Sequence, residues 1–400
     1  RTPNDTLFPF QSPLYVMTKP VGSVCNMTCN YCYYSEKHRY ASPTHISDQT
    51  LENFIRQYID CQTTDSVLFT WHGGEPLLLP ISFYQKVIHL QNKYAAGRHV
   101  DNCLQTNGTL ITDDYARFFH DNGWLIGVSI DGPAHLHDFY RHMHHSDAPT
   151  HSQTMHGINL LRKHEVEWNA LATVNAANAK APDDFYDFFK SIDCTYIQFT
   201  PVVERLRPDG TLASLADTNC TIAPFSVSPA EWGSFLCHVF DRWLTSDVGT
   251  RFFQLFDATL ANYLGVPPGV CSMSAACGNV AVLEANGNLY SCDHFVFPEF
   301  LLGNISHHSL TELMYADAQK KFARLKQDFL PPECTACQWH FACHGECPRN
   351  RFMHTIAGRP GLNYLCQGYK TFFAHAHPYM DIMARLVSDG RDASEVANYI

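Results

Sequence analysis

Six alternations of a short β-rich run with an amphipathic helical pattern, followed by a stretch holding eight of the sixteen cysteines, predict an α/β protein: a partial (β/α)6 barrel joined to a cysteine-rich, metal-binding segment. A hydrophobic content of 45% over 400 residues is enough to bury the core of one large domain and a smaller one.

Each element has its own signal. Residues 14–19 read as the first strand. Ser47 can cap a helix whose Leu51, Phe54, Ile55 and Tyr58 recur at i, i+3, i+4 and i+7 and so form one apolar face. A buried strand at 67–71, a helix at 83–94 and a strand at 100–105 follow, and Thr112 opens a helix that turns Tyr115, Phe118 and Phe119 inward. Strands at 125–130, 168–174 and 196–200 alternate with helices near 151–163 and 183–192. Six units are too few to close an eight-stranded barrel, so an open one is expected, with its chemistry at the carboxyl ends of the strands. Residues 206–227 are loop-like and a helix covers 229–245. The cysteine-rich region beyond is expected to be helix-poor, with a hairpin at Asn286-Gly287 and a closing helix from about Tyr369. The expected divisions are 12–205 for the barrel, 206–265 for a linker and helical connection, 266–370 for the cysteine-rich domain and 371–400 for a C-terminal helix.

The formal charge of −11, with no clustering of Lys or Arg, argues against a nucleic-acid partner. No apolar run approaches the roughly 18 residues that cross a bilayer, so no membrane partner is expected either. Residues 1–11 carry neither the basic cluster nor the apolar stretch of a secretory signal, which makes the cytoplasm the expected compartment. There, closely spaced cysteines read as metal ligands or reactive thiols and not as disulfides.

Cys25-x3-Cys29-x2-Cys32 follows the first strand, a spacing that arises by chance in about 3 chains of this composition per hundred. Three thiolates can hold three irons of a [4Fe-4S] cube and leave the fourth open to a small molecule. The competing arrangement is a zinc ion closed by His38 as fourth ligand. With an aromatic at Tyr31 before the last cysteine, the motif resembles the radical S-adenosylmethionine superfamily. The resemblance implies that the open iron chelates S-adenosylmethionine, whose reductive cleavage gives a 5′-deoxyadenosyl radical; the cofactor supplies the hard chemistry and the protein supplies position. Polar or glycine-rich turns close four successive elements: Gly73-Gly74-Glu75-Pro76, Gln105-Thr106-Asn107-Gly108, and Ser129 to Pro133 among them. By the same resemblance Tyr31, Gly74, Ser129, Arg141 and Val203 match positions that contact S-adenosylmethionine.

The later cysteines run Cys271-x5-Cys277, then Cys292, then Cys334-x2-Cys337-x5-Cys343-x3-Cys347, then Cys366. Eight thiolates close two [4Fe-4S] clusters with no iron left open, and two zinc sites would use the same eight. The spacing resembles the twin-cluster SPASM extension, and that resemblance implies one cluster on Cys271, Cys277, Cys292 and Cys347 and another on Cys334, Cys337, Cys343 and Cys366. Asp293, next to a ligand, could accept a proton from a substrate hydroxyl or thiol, but an ordinary carboxyl near 3.9 is a poor base unless burial raises it. His135, His137, His142, His144 and His145 lack helical i, i+4 pairing and are not read as a metal site.

Longer strings, including 20–25, 69–75, 104–109, 127–133, 290–296 and 361–366, are similar to the anaerobic sulfatase-maturating enzymes, those of Bacteroidetes above all. The resemblance implies oxidation of a Cys or Ser in an unfolded or nascent sulfatase polypeptide to Cα-formylglycine, with three [4Fe-4S] clusters, S-adenosylmethionine, and a flavodoxin- or ferredoxin-like electron donor. Asp293 would take the Oγ or Sγ proton and the second electron would leave through the two further clusters. His72 stands where relatives can carry Gln. Two other readings are a twin-cluster radical enzyme that crosslinks a ribosomal peptide and a zinc-stapled scaffold without activity.

Overall fold

The computed structural model describes residues 13–36 and 45–400. The chain divides into two compact units, each assembled from separated stretches: Arg1–Ser129, Arg141–Trp168 and Cys277–Arg324 in the first, Ile130–Tyr140, Asn169–Ala276 and Leu325–Ile400 in the second.

In the first unit, strands Leu125–Ser129, His99–Thr106, Ser66–Trp71 and Tyr15–Lys19 lie side by side and parallel. The helices between them form as their patterns require. Ser47 caps Asp48–Asp60 by accepting from the Thr50 amide, an arrangement worth about 1 kcal/mol, and Leu51, Phe54, Ile55 and Tyr58 are buried along one face. In Asp113–Asp121, capped by Thr112, Tyr115 and Phe119 are buried as expected but Phe118 is only half-buried.

The sheet then takes strands from beyond the barrel segment. Val280–Glu284 pairs parallel with Tyr15–Lys19, in register from Tyr15 against Val280 to Lys19 against Glu284. Asn288–Tyr290 and Leu301–Asn304 continue it antiparallel. The Asn286-Gly287 hairpin forms where its sequence places it, with Gly287 at φ +83°, a conformation that favours glycine. Asp293, just beyond Tyr290, meets the side chain of Lys19, the last residue of the first strand, in an ion pair.

Trp168–Val174, which enters the second unit at Asn169, forms a parallel array with Tyr196–Pro201 and Phe252–Phe253. Pro229–Ser246, opened by a Ser228/Glu231 capping box, packs on the long helix Cys366–Ser388. Their approach depends on two glycines: a Cβ on Gly368 would stand 2.3 Å from the Pro229 carbonyl oxygen, and one on Gly233 2.9 Å from that of Gly368.

Two departures from the sequence reading have local causes. The loop-like 206–227 contains a small antiparallel pairing of Arg205–Leu206 with Thr221–Ile222. The cysteine-rich region holds a full helix, Asp317–Asp328. Its sequence is strongly polar and lacks a long apolar period; intrinsic helix formers such as Ala, Gln, Lys, Arg and Leu carry it instead. Among the described residues no helix is long and apolar enough to cross a membrane.

Candidate active site

The first three cysteines lie at the carboxyl end of the first strand, where Lys19 and Pro20 turn the chain. Residues Met27–Cys29 form a short strand paired antiparallel with Arg141–Met143, which sets Cys29 opposite Arg141. The Met27 amide donates to the Cys25 Sγ at 3.3 Å, the Asn107 side-chain amide stands 3.8 Å from the same sulfur, and the Cys32 amide donates to the Cys29 carbonyl at 3.0 Å. Burial raises the Cys25 thiol to about 11, with Glu75 adding repulsion, and burial raises Cys32 as well. Thiols held this way ionise only with a positive partner, and iron is such a partner.

The glycine turn stitches this loop in place. The Gly74 amide donates to the Gly22 carbonyl (2.8 Å) and the Glu75 amide to the Val24 carbonyl (2.9 Å). A Cβ on Gly74 would lie 2.0 Å from the Val24 oxygen, so no side chain fits there. The buried Glu75 carboxylate accepts from the Thr106 hydroxyl, the Asn107 amide and the Leu77 amide at 2.8–2.9 Å. Burial still lifts its carboxyl to about 7 against these bonds. Arg141 donates to the Tyr31 hydroxyl at 3.0 Å, and both residues are buried. Ser129 ends its strand with its hydroxyl accepting from Gln105 at 2.9 Å. Val203, also buried, belongs to the second unit.

Asp293 is the centre of a charged cluster that sequence reasoning only partly foresaw. Its Oδ1 lies 2.6 Å from the fully buried Lys19 Nζ, and the Tyr33 hydroxyl donates to its Oδ2. Lys19 Nζ is also 3.3 Å from His72 Nδ1 and 4.2 Å from the centre of the Tyr34 ring, while the Tyr34 hydroxyl donates to Glu284. Because His72 Nδ1 accepts from the Gly73 amide at 2.7 Å, the neutral ring carries its proton on Nε2; burial first, then Lys19, lowers its pKa to about 3. The condition that burial lift Asp293 is not met. Burial does pull it upward, but its neighbours, the Lys19 charge foremost, outweigh that and hold the carboxyl below the usual carboxylate range. Asp293 is therefore an anion whose two oxygens are already oriented. Lys19 was legible as the charge that ends an otherwise buried strand, which needs a partner; Tyr33 and Glu284 gave no spacing signal.

Four of the later cysteines share a cavity. In the second unit Cys334, Cys337, Cys343 and Cys366 line one cavity, walled by Trp339, Tyr369 and Phe373. In the first unit Gln319 donates to the carbonyls of Gly278 (2.9 Å) and Ser291 (3.4 Å), the neighbours of Cys277 and Cys292. Cys271 and Cys347 belong to the second unit. Among the described residues no three His, Cys, Asp or Glu side chains converge closely enough for a single ion. Four thiols around a cavity suit a multi-iron cluster better than a lone tetrahedral zinc. His38 lies outside the described residues.

The comparisons with known proteins agree with this chemistry. Residues 20–189 match the radical SAM superfamily and residues 271–338 match an iron-sulfur cluster-binding domain, SPASM. The chain is 56% identical to a serine-type anaerobic sulfatase-maturating enzyme of Bacteroides thetaiotaomicron, over 95% of this chain and 93% of that one, and 35% identical to a serine-type enzyme of Klebsiella aerogenes over 95% and 88%. A solved structure of native anSMEcpe with bound AdoMet and the Kp18Cys peptide is 31% identical, with a TM-score of 0.83 over 94% of this chain and 99% of that one. Streptococcus suis SuiB bound to S-adenosylmethionine, 13% identical with a TM-score of 0.59, covers 89% of this chain and 77% of its own and shares the fold alone. With the α/β architecture and the thiol-lined cavity already in place, an identity of this extent is decisive: the chain belongs to the anaerobic sulfatase-maturating enzymes, a family built on the radical SAM and SPASM domains.

Proposed function

We propose that this enzyme oxidises a Ser or Cys side chain in a nascent, unfolded sulfatase polypeptide to Cα-formylglycine, in the cytoplasm, with electrons from a flavodoxin- or ferredoxin-like protein. Its family works with S-adenosylmethionine and three [4Fe-4S] clusters, which when bound supply the electron and the hydrogen-abstracting radical. In this reading Cys25, Cys29 and Cys32 hold the open cluster, within the barrel segment 12–205. Cys271, Cys277, Cys292 and Cys347 hold one auxiliary cluster, and Cys334, Cys337, Cys343 and Cys366 the other, within 266–370.

The chain's own groups then have defined tasks. Tyr31, Gly74, Ser129, Arg141 and Val203 seat the sulfonium ligand: Gly74 lets the backbone approach it, and Arg141 fixes the Tyr31 phenol. Asp293 accepts the Oγ or Sγ proton, Lys19 and Tyr33 hold its oxygens in place, and His72 presents an Nε2–H donor. Removal of the Cβ hydrogen acidifies the neighbouring O–H or S–H, so a carboxylate as weakly basic as Asp293 suffices. The observation that carries this reading is the thiol triad beside a glycine turn that admits no side chain.

Two anaerobic incubations test it, one with a Ser peptide and one with a Cys peptide in a sulfatase-like sequence. Both are expected to yield an aldehyde that a hydrazine reagent captures, the Ser peptide after loss of two hydrogens and the Cys peptide after the same loss followed by hydrolysis of the thioaldehyde, with water supplying the oxygen and hydrogen sulfide leaving. A peptide crosslink would lose the same two hydrogens but give no capturable aldehyde, and that outcome refutes the reading.

A further inference from the structure

Lys326, near the end of helix Asp317–Asp328, is fully buried. Its ammonium makes three short hydrogen bonds, all to carbonyl oxygens of one loop: Cys271 (2.7 Å), Ser272 (2.8 Å) and Ser274 (2.6 Å). Among the described residues no carboxylate bonds to it. Glu346 feels its charge, but that carboxylate accepts from Asn350 and Asn363 instead. A second cation also binds carbonyls nearby. Arg351 donates to the carbonyls of His344, Gly345 and Glu346, the residues just before Cys347, and to that of Lys326 itself.

A buried ammonium that bonds to no carboxylate is costly, by several kcal/mol after relaxation, and carbonyl dipoles offset only part of that. The arrangement makes sense if the missing anion arrives with a cofactor. A [4Fe-4S] cluster on four thiolates carries a net charge of about −2 when oxidised and −3 when reduced. Lys326 already acts on two ligand candidates, pulling the Cys271 and Cys343 thiols down against the burial that raises them, Cys343 to about 12.

We propose that Lys326 is the built-in counter-charge of the auxiliary cluster that Cys271 ligates, holding the ligand loop by its carbonyls and raising the cluster's reduction potential. A fixed positive charge favours the more negative, reduced form, so the cluster becomes the better electron acceptor. Lys326 touches no substrate and is a positioning and tuning residue. The inference rests on the auxiliary-cluster assignment above.

The test is a potentiometric titration of the full-length, three-cluster enzyme followed by electron paramagnetic resonance, in wild type, Lys326→Gln and Lys326→Arg. The signal that responds to added S-adenosylmethionine marks the first cluster and leaves two auxiliary waves. Lys326→Gln, which keeps a donor but no charge, should move an auxiliary wave negative by about 59 mV, a tenfold smaller reduced-to-oxidised ratio at fixed potential for one electron. Lys326→Arg should leave it in place. Loss of one cluster's iron in Gln but not in Arg also supports the proposal. Unchanged waves in Lys326→Gln at full iron content, or equal cluster loss in both variants, overturn it. Wild-type protein with iron for the first cluster alone would instead sink the cluster assignment, and this inference with it.

Discussion

Asp293→Asn should still cleave S-adenosylmethionine to 5′-deoxyadenosine at close to the wild-type rate while forming formylglycine about a hundredfold more slowly, the usual worth of a positioned proton acceptor. Asn has the shape of Asp and can still accept from Tyr33, but it cannot take a substrate proton. The substitution also strips Lys19 of its anion, and Lys19 has no exposed surface through which to recover solvent. Leaving one partner of a buried pair uncompensated costs about 3–5 kcal/mol, so the single variant should also be less stable. The double variant Lys19→Met/Asp293→Asn separates the two effects. It should regain stability without regaining aldehyde formation. Normal aldehyde yield from either variant would remove Asp293 from the proposed role.

The second large effect is expected at Gly74. Its φ is ordinary, so the constraint is purely steric: a methyl group there would sit 2.0 Å from the Val24 carbonyl oxygen, inside any tolerable contact. Backbone has to move, and the backbone in question runs directly into Cys25. A displacement on the order of 1 Å at a site that must align a ligand costs about a hundredfold in rate. Gly74→Ala should therefore lose 5′-deoxyadenosine formation to about that extent while the auxiliary clusters keep their iron. The assay is single-turnover nucleoside release with dithionite as reductant. Wild-type release from the Ala variant would show that this contact does not set the ligand site.

Much of the fold could be read from sequence because each helix carries its own cap and apolar period. Ser47 and Thr112 cap where they should, and 151–163 and 168–174 form the elements expected of them. What sequence did not disclose is non-local. Nothing in Val280–Glu284 announces that it will pair with Tyr15–Lys19, 265 positions earlier at the Tyr15–Val280 pair, yet that pairing brings Asp293 to Lys19. For the same reason the direction of the Asp293 shift could not be read from sequence: burial is legible from context, whereas a through-space cation is not. Cysteine spacing was the most informative local signal, because a cluster demands a fixed number of thiolates at short range. Lys326 has no such signature, since its partners are backbone carbonyls that any sequence supplies.

The proposed chemistry starts from an iron left open by a three-thiolate ligand set. Anaerobically reconstituted and reduced enzyme should show an electron paramagnetic resonance spectrum with one component that shifts on addition of S-adenosylmethionine, and Cys29→Ala should lose that component while keeping the others. A spectrum unchanged by S-adenosylmethionine, at about twelve irons per chain, would contradict it.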